Sequence, residues 1–185
     1  MALTQSNMLE LGTKAPNFHL QDVVSGRYFS LDDLGSSKAT VIMFICNHCP
    51  FVIHVNSELV RLANKWKSEG VSFVAINSND IKNYPEDAPD KMSIVAKVLK
   101  YPFPYLYDKR QEVAKAYAAA CTPDFYVFDG DLALTYRGRL DQSRPGNGIP
   151  LTGEDLDDAI SKTISGDLIS PQYPSAGCNI KWINS

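Results

Sequence analysis

The pattern of apolar and polar positions along the chain predicts an α/β fold. The apolar, β-branched run at residues 40–45 is typical of a buried strand. From Pro50 to about Glu69, apolar residues recur at three- and four-residue spacing, which predicts an amphipathic helix. Residues 71–76 then predict a second strand. Because a long crossover joins the two strands, we expect them to pair in parallel with a right-handed connection.

The segments on either side of this β-α-β unit predict further elements. In chain order they are a β-hairpin (17–20 and 27–29), a helical turn opened by Ser30, a helix (about 90–100), a short strand (105–107), a helix capped by Asp108 (112–117), an antiparallel hairpin (125–128 and 134–140) and a final helix that opens at Thr152 and stops at Gly166. This order predicts a central mixed sheet, flanked by helices, with an antiparallel hairpin at its edge.

The length and composition are those of an ordinary globular domain. The 185 residues predict one domain, 1–185, with an N-terminal hairpin extension at 1–38 and a C-terminal tail at 167–185 that packs on it. A net charge of -3 without a basic cluster argues against nucleic acid as a partner, and no apolar stretch is long enough for a membrane helix. The first residues show no leader pattern, so we expect a cytoplasmic protein with reduced thiols.

Cysteine is the residue type that points to chemistry. Cys46 and Cys49 lie three positions apart, directly after the strand at 40–45, and Pro50 opens the helix that follows. Because a helix N-terminus carries partial positive charge, we expect the pKa of Cys46 to lie below its usual value of about 8.5. His48, between the two cysteines, adds positive charge when protonated and favours the thiolate.

The same pair of cysteines could be half of a zinc site. Cys121, Cys178 or His54 would have to complete it, and none of them has ligand-like spacing. The position between a strand and a helix favours redox chemistry, so we expect no metal and no cofactor. Cys121 and Cys178, the latter in a tail that looks flexible, are each either an additional redox thiol or a packing residue.

Five stretches of the sequence resemble one family. They are Gly-Thr-Lys-Ala-Pro-Asn-Phe at 12–18, Phe-Ile-Cys-Asn-His-Cys-Pro at 44–50, Thr122-Pro123 before a later strand, Tyr-Arg-Gly-Arg-Leu-Asp at 136–141 and Gly-Cys-Asn-Ile-Lys-Trp at 177–182. With these motifs the chain resembles a bacterial group of thioredoxin-like proteins related to the thiol–disulfide reductases and to the peroxiredoxins (alkyl hydroperoxide reductase/thiol-specific antioxidant-like). The resemblance implies a thioredoxin-like fold and a thiol–disulfide oxidoreductase.

The resemblance also implies roles for individual residues. Cys46 matches the nucleophile and Cys49 the resolving cysteine. Thr122 and Pro123 match the position of a cis-proline that offers a backbone edge to an incoming peptide. The implied partners are a thiol or disulfide substrate, either a protein or a small molecule, and a reductant, either a reducing protein or a low-molecular-weight thiol.

The sequence departs from the family pattern in two places. The strand at 40–45 carries no carboxylate beneath the cysteines, so a proton relay is absent or comes from another segment. The peroxiredoxin pattern Pro-x-x-x-Thr-x-x-Cys is missing, which leaves a thiol peroxidase as the second hypothesis. A third hypothesis is a binding module whose cysteines are idle or hold metal. Arg137 and Arg139 are candidates for binding an anion, but we expect them to be exposed and solvated.

Overall fold

The computed structural model describes residues 3–183. Its elements, in chain order, are β1 (Leu3–Gln5), β2 (His19–Asp22), β3 (Tyr28–Ser30), α1 (Leu31–Leu34), β4 (Ala39–Phe44), α2 (Pro50–Lys67), β5 (Ser72–Asn77), a 3-10 turn (Pro85–Asp87), α3 (Pro89–Val98), β6 (Tyr105–Tyr107), α4 (Glu112–Ala116), β7 (Cys121–Thr122), β8 (Asp124–Asp129), β9 (Leu134–Gly138), α5 (Glu154–Ser165) and β10 (Ala176–Asn179). Within residues 3–183, none of the helices combines the length and the apolar character that crossing a membrane requires.

The central sheet has seven strands in the order β3-β2-β6-β5-β4-β8-β9. β4 pairs in parallel with β5, and β5 with β6, as the helical crossovers predict. β8 lies antiparallel to β4, and β9 antiparallel to β8. The predicted mixed α/β class, with a central mixed sheet, is therefore confirmed.

Strand β4 lies in the middle of the sheet because both of its faces are apolar. All six of its residues are buried. Val41 and Met43 pack into the core cluster that contains the apolar face of α2, whereas Ile42 and Phe44 pack into the cluster on the other face of the sheet. Full burial of one such side chain contributes about 1.5–3 kcal/mol. These contacts hold the carboxyl end of β4, and therefore the loop that follows it, in a defined position.

A second, three-stranded sheet was not predicted. Its order is β1-β10-β7, and both pairings are antiparallel. The segment at 167–185, expected to be a tail that looks flexible, thus contains a strand that lies between β1 and β7. Residues 1 and 2 of the predicted N-terminal extension, and residues 184 and 185 of the predicted tail, lie outside the described residues.

The ends of the helices are formed partly as predicted and partly by residues far away in sequence. Ser30 and the acid three residues later form the expected capping box of α1. The predicted N-cap at Thr152 is wrong, because Gly153 occupies that position with a φ of 68°. Asp141 accepts the N–H groups of Thr152 and Gly153 at 2.7 and 2.6 Å. Asp108 likewise accepts the N–H of Ala114 at 2.9 Å from outside the N-cap position.

Candidate active site

The two cysteines lie where β4 meets α2, as predicted. Cys49 is the N-cap residue of α2 and Pro50 is its first residue, where the missing N–H costs nothing. Both side chains are almost completely covered, since Cys46 is 2% exposed and Cys49 is 0% exposed. Of the two cysteines, therefore, only Cys46 offers a substrate any accessible area.

Thr122 brings the loop between β7 and β8 against both thiols. The Thr122–Pro123 peptide bond is cis, as the resemblance implies. The Sγ of Cys46 lies 3.3 Å from the Oγ1 of Thr122, and the Sγ of Cys49 lies 3.2 Å from the main-chain oxygen of the same residue. The structure thus unites Cys46, Cys49, Thr122 and Pro123 in one site.

The two thiols hydrogen-bond to each other, and this contact separates their acidities. The thiol of Cys46 donates to Cys49 and, together with Cys178, lowers the pKa of Cys49 to about 5. The same hydrogen bond, together with burial and the charge of Asp87, raises the pKa of Cys46 above its usual value. The predicted depression of the Cys46 pKa is therefore wrong for this conformation. Cys49 is the N-cap residue, but the N–H of Val52 donates to its main-chain oxygen at 3.0 Å and the sulfur caps no helix N–H.

Asp87 organises the loop between the cysteines, and sequence reasoning missed it. This residue is 0% exposed. It accepts hydrogen bonds from the main-chain N–H of Asn47, from the Nδ1 of His48 and from the side-chain amide of Asn79, each at 2.7 Å. Burial acts to raise the pKa of Asp87, but the hydrogen bonds from His48 and Asn79 hold it below its usual value. A buried carboxylate near Cys46 is thus present on the 3-10 turn, whereas β4 carries none.

His48 lies between this carboxylate and an aromatic ring. Its hydrogen bond to Asp87 raises the pKa of His48. Its ring stacks on Tyr84 with centroids 5.0 Å apart. The Nε2 atom of His48 is buried and has no hydrogen-bond partner. One donor atom each from Cys46, His48 and Asp87 lie within 4.8 Å of one another.

The residues considered as further zinc ligands do not join that group. Among the described residues, the group of possible ligands consists of Cys46, His48 and Asp87. The Nε2 of His54 instead lies 2.7 Å from the Oγ of Ser143.

Cys178 is the third thiol at the site, whereas Cys121 contacts the main chain of Pro123. Cys178 is 3% exposed, lies on β10 and hydrogen-bonds to Cys49 through both its side chain and its main chain. Burial raises the pKa of Cys178 to about 12. The Sγ of Cys121 donates to the main-chain oxygen of Pro123 at 3.7 Å, and burial raises the pKa of Cys121. The expectation of a flexible position for Cys178 is wrong, because pairing of β10 with β7 fixes it.

The backbone edge that was expected to receive a peptide is already paired. Cys178 lies opposite Thr122, and Asn179 opposite Cys121, in antiparallel register. Gly177 makes this approach possible, because a Cβ atom at that position would overlap the main-chain carbonyl of Thr122. The main chain at Thr122 thus belongs to a sheet within the molecule.

The two arginines of β9 and its continuation are not solvated, so that expectation is wrong. Arg137 is 0% exposed and its Nη2 lies 2.9 Å from the Oδ2 of Asp124, which is also 0% exposed. Its guanidinium lies 4.5 Å from the centroid of the Tyr126 ring. Arg139 pairs with Asp155 at 2.6 Å. These side chains stabilise the sheet beside the site and are not presented to a ligand.

The fold and the cysteine pair define a class of protein: a thioredoxin-like fold with two thiols at a strand-to-helix junction, opposite a cis-proline. The chain belongs to the AhpC/TSA family, whose family model matches residues 11–137. The resemblance inferred from the sequence motifs is thus confirmed. Comparison with curated proteins finds no match to the chain.

Solved structures support the same assignment. The chain is 60% identical to an uncharacterized conserved protein from Geobacillus kaustophilus, covering 100% of this chain and 98% of that one with a TM-score of 0.98. It is 44% identical to a hypothetical protein from Sinorhizobium meliloti 1021, covering 98% and 100%, with a TM-score of 0.95. The thioredoxin domain of a thiol-disulfide oxidoreductase from Bacteroides vulgatus is 17% identical over 85% and 99%, with a TM-score of 0.66, and shares the fold.

Proposed function

We propose that the protein is a cytoplasmic thiol–disulfide oxidoreductase, in which Cys46 attacks a disulfide or an oxidised thiol and Cys49 resolves the product. The observation that carries this proposal is the packing of both sulfur atoms against Thr122, at 3.3 Å from its Oγ1 and 3.2 Å from its main-chain oxygen. Cys46 is assigned the attack because it retains 2% exposure, whereas Cys49 has none.

The hydrogen bond between the two sulfurs provides a route for the proton. The pKa of Cys49 is lowered and that of Cys46 is raised, so the shared proton lies on Cys46 before the reaction and, once on Cys49, can be donated to the main-chain oxygen of Thr122. The attack begins when this proton moves from Cys46 to Cys49, which leaves a thiolate on Cys46. That thiolate bonds to one substrate sulfur, and the other substrate sulfur departs with the electron pair of the broken bond.

The second step closes the disulfide. Cys49 gives its proton to the departed substrate thiolate and then attacks the sulfur of Cys46. The Cys46–Cys49 bond forms and the second substrate thiolate leaves. The protein has lost two electrons and the substrate has gained two. A reducing protein or a low-molecular-weight thiol restores the pair by the reverse sequence.

The pairing of β10 with β7 favours compact substrates over extended peptides. An extended peptide would need the main chain of Thr122, which is paired with Cys178. A small disulfide, or a disulfide that protrudes from a partner, needs only the exposed part of Cys46. We therefore propose small or protruding disulfides as the substrate class.

Thiol alkylation and mass spectrometry across a redox titration test the proposal. We expect Cys46 and Cys49 to form a disulfide reversibly, and a Cys121→Ser variant, which removes a buried thiol outside the pair, to behave like the wild type. In Cys49→Ser, oxidised glutathione should leave a stable mixed disulfide on Cys46. A pair that never oxidises in the wild type would remove the proposal.

A thiol peroxidase is the second candidate, favoured by the match of residues 11–137 to the AhpC/TSA family. In this reaction, the Cys46 thiolate takes the terminal oxygen of a peroxide and becomes a sulfenic acid, and an alcohol or water leaves. Cys49 then forms the disulfide and releases water. Stopped-flow mixing with hydrogen peroxide decides this case, because a rate no faster than that of free cysteine excludes it.

A further inference from the structure

We propose that, in the reduced protein, Cys46, His48 and Asp87 form a binding site for a divalent metal ion of the zinc type. One donor atom from each residue lies within 4.8 Å of the other two. Asn47 and Asn79 contribute hydrogen bonds around the group, but are not among its ligands. The proposal goes beyond the oxidoreductase function and does not depend on it.

The donor set matches the ligand preferences of zinc. Thiolate sulfur, imidazole nitrogen and carboxylate oxygen are the three ligand types that zinc takes in proteins, at about 2.0–2.3 Å and in tetrahedral geometry. Two ligands of one tetrahedral zinc ion are then roughly 3.3–3.8 Å apart. Donors within 4.8 Å of one another can reach that spacing if the side chains move by about 1 Å. Three protein ligands leave the fourth position for water.

A second observation is the contact between His48 and Asp87. The Nδ1 of His48 lies 2.7 Å from the Oδ2 of Asp87, so two of the three donor atoms already face each other. An ion bound between them takes the place of the proton that this contact holds, and the N–H of the neutral imidazole then lies on Nε2.

The site is preorganised by contacts that do not require the metal. Asp87 is held by the N–H of Asn47 and by the amide of Asn79, each at 2.7 Å, and the ring of His48 is held by Tyr84. The side chains of His48 and Asp87 are 14% and 0% exposed. Because little order has to be imposed on binding, a large share of the ligand energy appears as affinity.

The redox state of the cysteines controls this site. Cys46 donates to a metal as a thiolate and loses that ability when its sulfur is bonded to Cys49. Oxidation by oxidised glutathione removes two electrons from the two thiols and yields two molecules of reduced glutathione. Metal binding and the disulfide are therefore mutually exclusive.

Titration of the reduced, metal-free full-length protein with Co²⁺, and with Zn²⁺ against a chromophoric chelator, tests the proposal. A phosphine keeps the thiols reduced without competing as a thiol. We expect one ion per chain and a thiolate-to-cobalt charge-transfer band that Cys46→Ser abolishes. We expect zinc affinity to fall by at least roughly 10–100-fold in His48→Gln and in Asp87→Asn, because losing a ligand costs no less than losing a residue that orients one. His19→Gln, which removes an exposed imidazole outside the group, should bind as the wild type does.

Three results would overturn the site. They are the absence of stoichiometric binding by the reduced wild type, a cobalt band that survives Cys46→Ser, and zinc affinity that is unchanged in His48→Gln. If Asp87→Asn does not fold, as circular dichroism would show, the other two variants carry the test. Disulfide formation is measured separately in metal-free protein, so loss of the metal site and loss of the oxidoreductase function are distinguishable.

Discussion

The shared proton between Cys46 and Cys49 leads to a prediction about which sulfur carries the negative charge. In the reduced protein, the hydrogen bond from the thiol of Cys46 is the largest influence that lowers the pKa of Cys49. Removing the donor at position 46 should therefore weaken the Cys49 thiolate. A hydroxyl at position 46 should preserve it. The informative pair of variants is Cys46→Ala and Cys46→Ser.

The structure gives the magnitude of the effect. The hydrogen bond from Cys46 is the largest influence that lowers the pKa of Cys49. A hydrogen bond to a charged group contributes about 1.5–3 kcal/mol, and one pKa unit corresponds to about 1.4 kcal/mol. The titration midpoint of Cys46→Ala should therefore lie roughly one to two pH units above that of the wild type. Cys46→Ser should stay close to the wild type.

Thiolate absorbance near 240 nm, followed from acidic to alkaline pH in reduced protein, measures these midpoints. The control is Cys49→Ser, in which the low-pH step should disappear. A midpoint that is unchanged in Cys46→Ala would refute the role of the inter-thiol hydrogen bond. A low-pH step that persists in Cys49→Ser would refute the placement of the charge.

Three further predictions concern stability, each measured by urea unfolding. Because the pKa of Cys49 is lower in the folded state, the unfolded state binds more protons between about pH 5 and 9. The stability of the wild type relative to Cys49→Ser should therefore increase from about pH 5 to about pH 9 and be lost as the pH falls towards 5; equal pH profiles would contradict this. Arg137→Met should lower the free energy of unfolding by about 3–5 kcal/mol because it leaves the buried carboxylate of Asp124 unpaired, and adding Asp124→Leu should recover most of the loss. If the double variant recovers nothing, the unpaired charge is not the cause of the loss. Gly177→Ala should lower the free energy of unfolding by about 1–3 kcal/mol, because the new methyl group overlaps the main chain of Thr122. The same change should speed alkylation of the buried thiols. A variant as stable as the wild type would show that β10 can move away from β7 at no cost.

The sheet and the cysteine junction could be predicted because their signals are local. β4 is a continuous apolar run, α2 has an apolar stripe over many turns, and the cysteines lie between them. Such elements need only their own sequence and one apolar environment. β7 and β10 have two and four residues, which is too short for a periodic pattern, and they form because they pair with each other.

The electrostatics of the site could not be predicted for a related reason. Asp87 is one of several acids in a polar segment, and nothing in its spacing shows that its carboxylate turns inward to Asn47 and His48. Arg137 alternates with apolar neighbours along a strand, as a solvated residue would, and becomes buried only because Asp124 lies on the adjacent strand. The acidity of Cys49 depends on one further residue, Cys178, that is distant in sequence.

Strand β10 acts on substrate choice as an intramolecular competitor. Because it belongs to the same chain as Thr122, it competes for that main chain at an effective concentration on the order of millimolar or higher. An extended peptide with the same intrinsic affinity as β10 must therefore reach a free concentration equal to that effective concentration before it displaces β10 from half of the molecules. A compact disulfide that touches only Cys46 does not compete with β10. The pairing of β10 with β7 therefore sets an affinity threshold for extended peptides and none for compact disulfides.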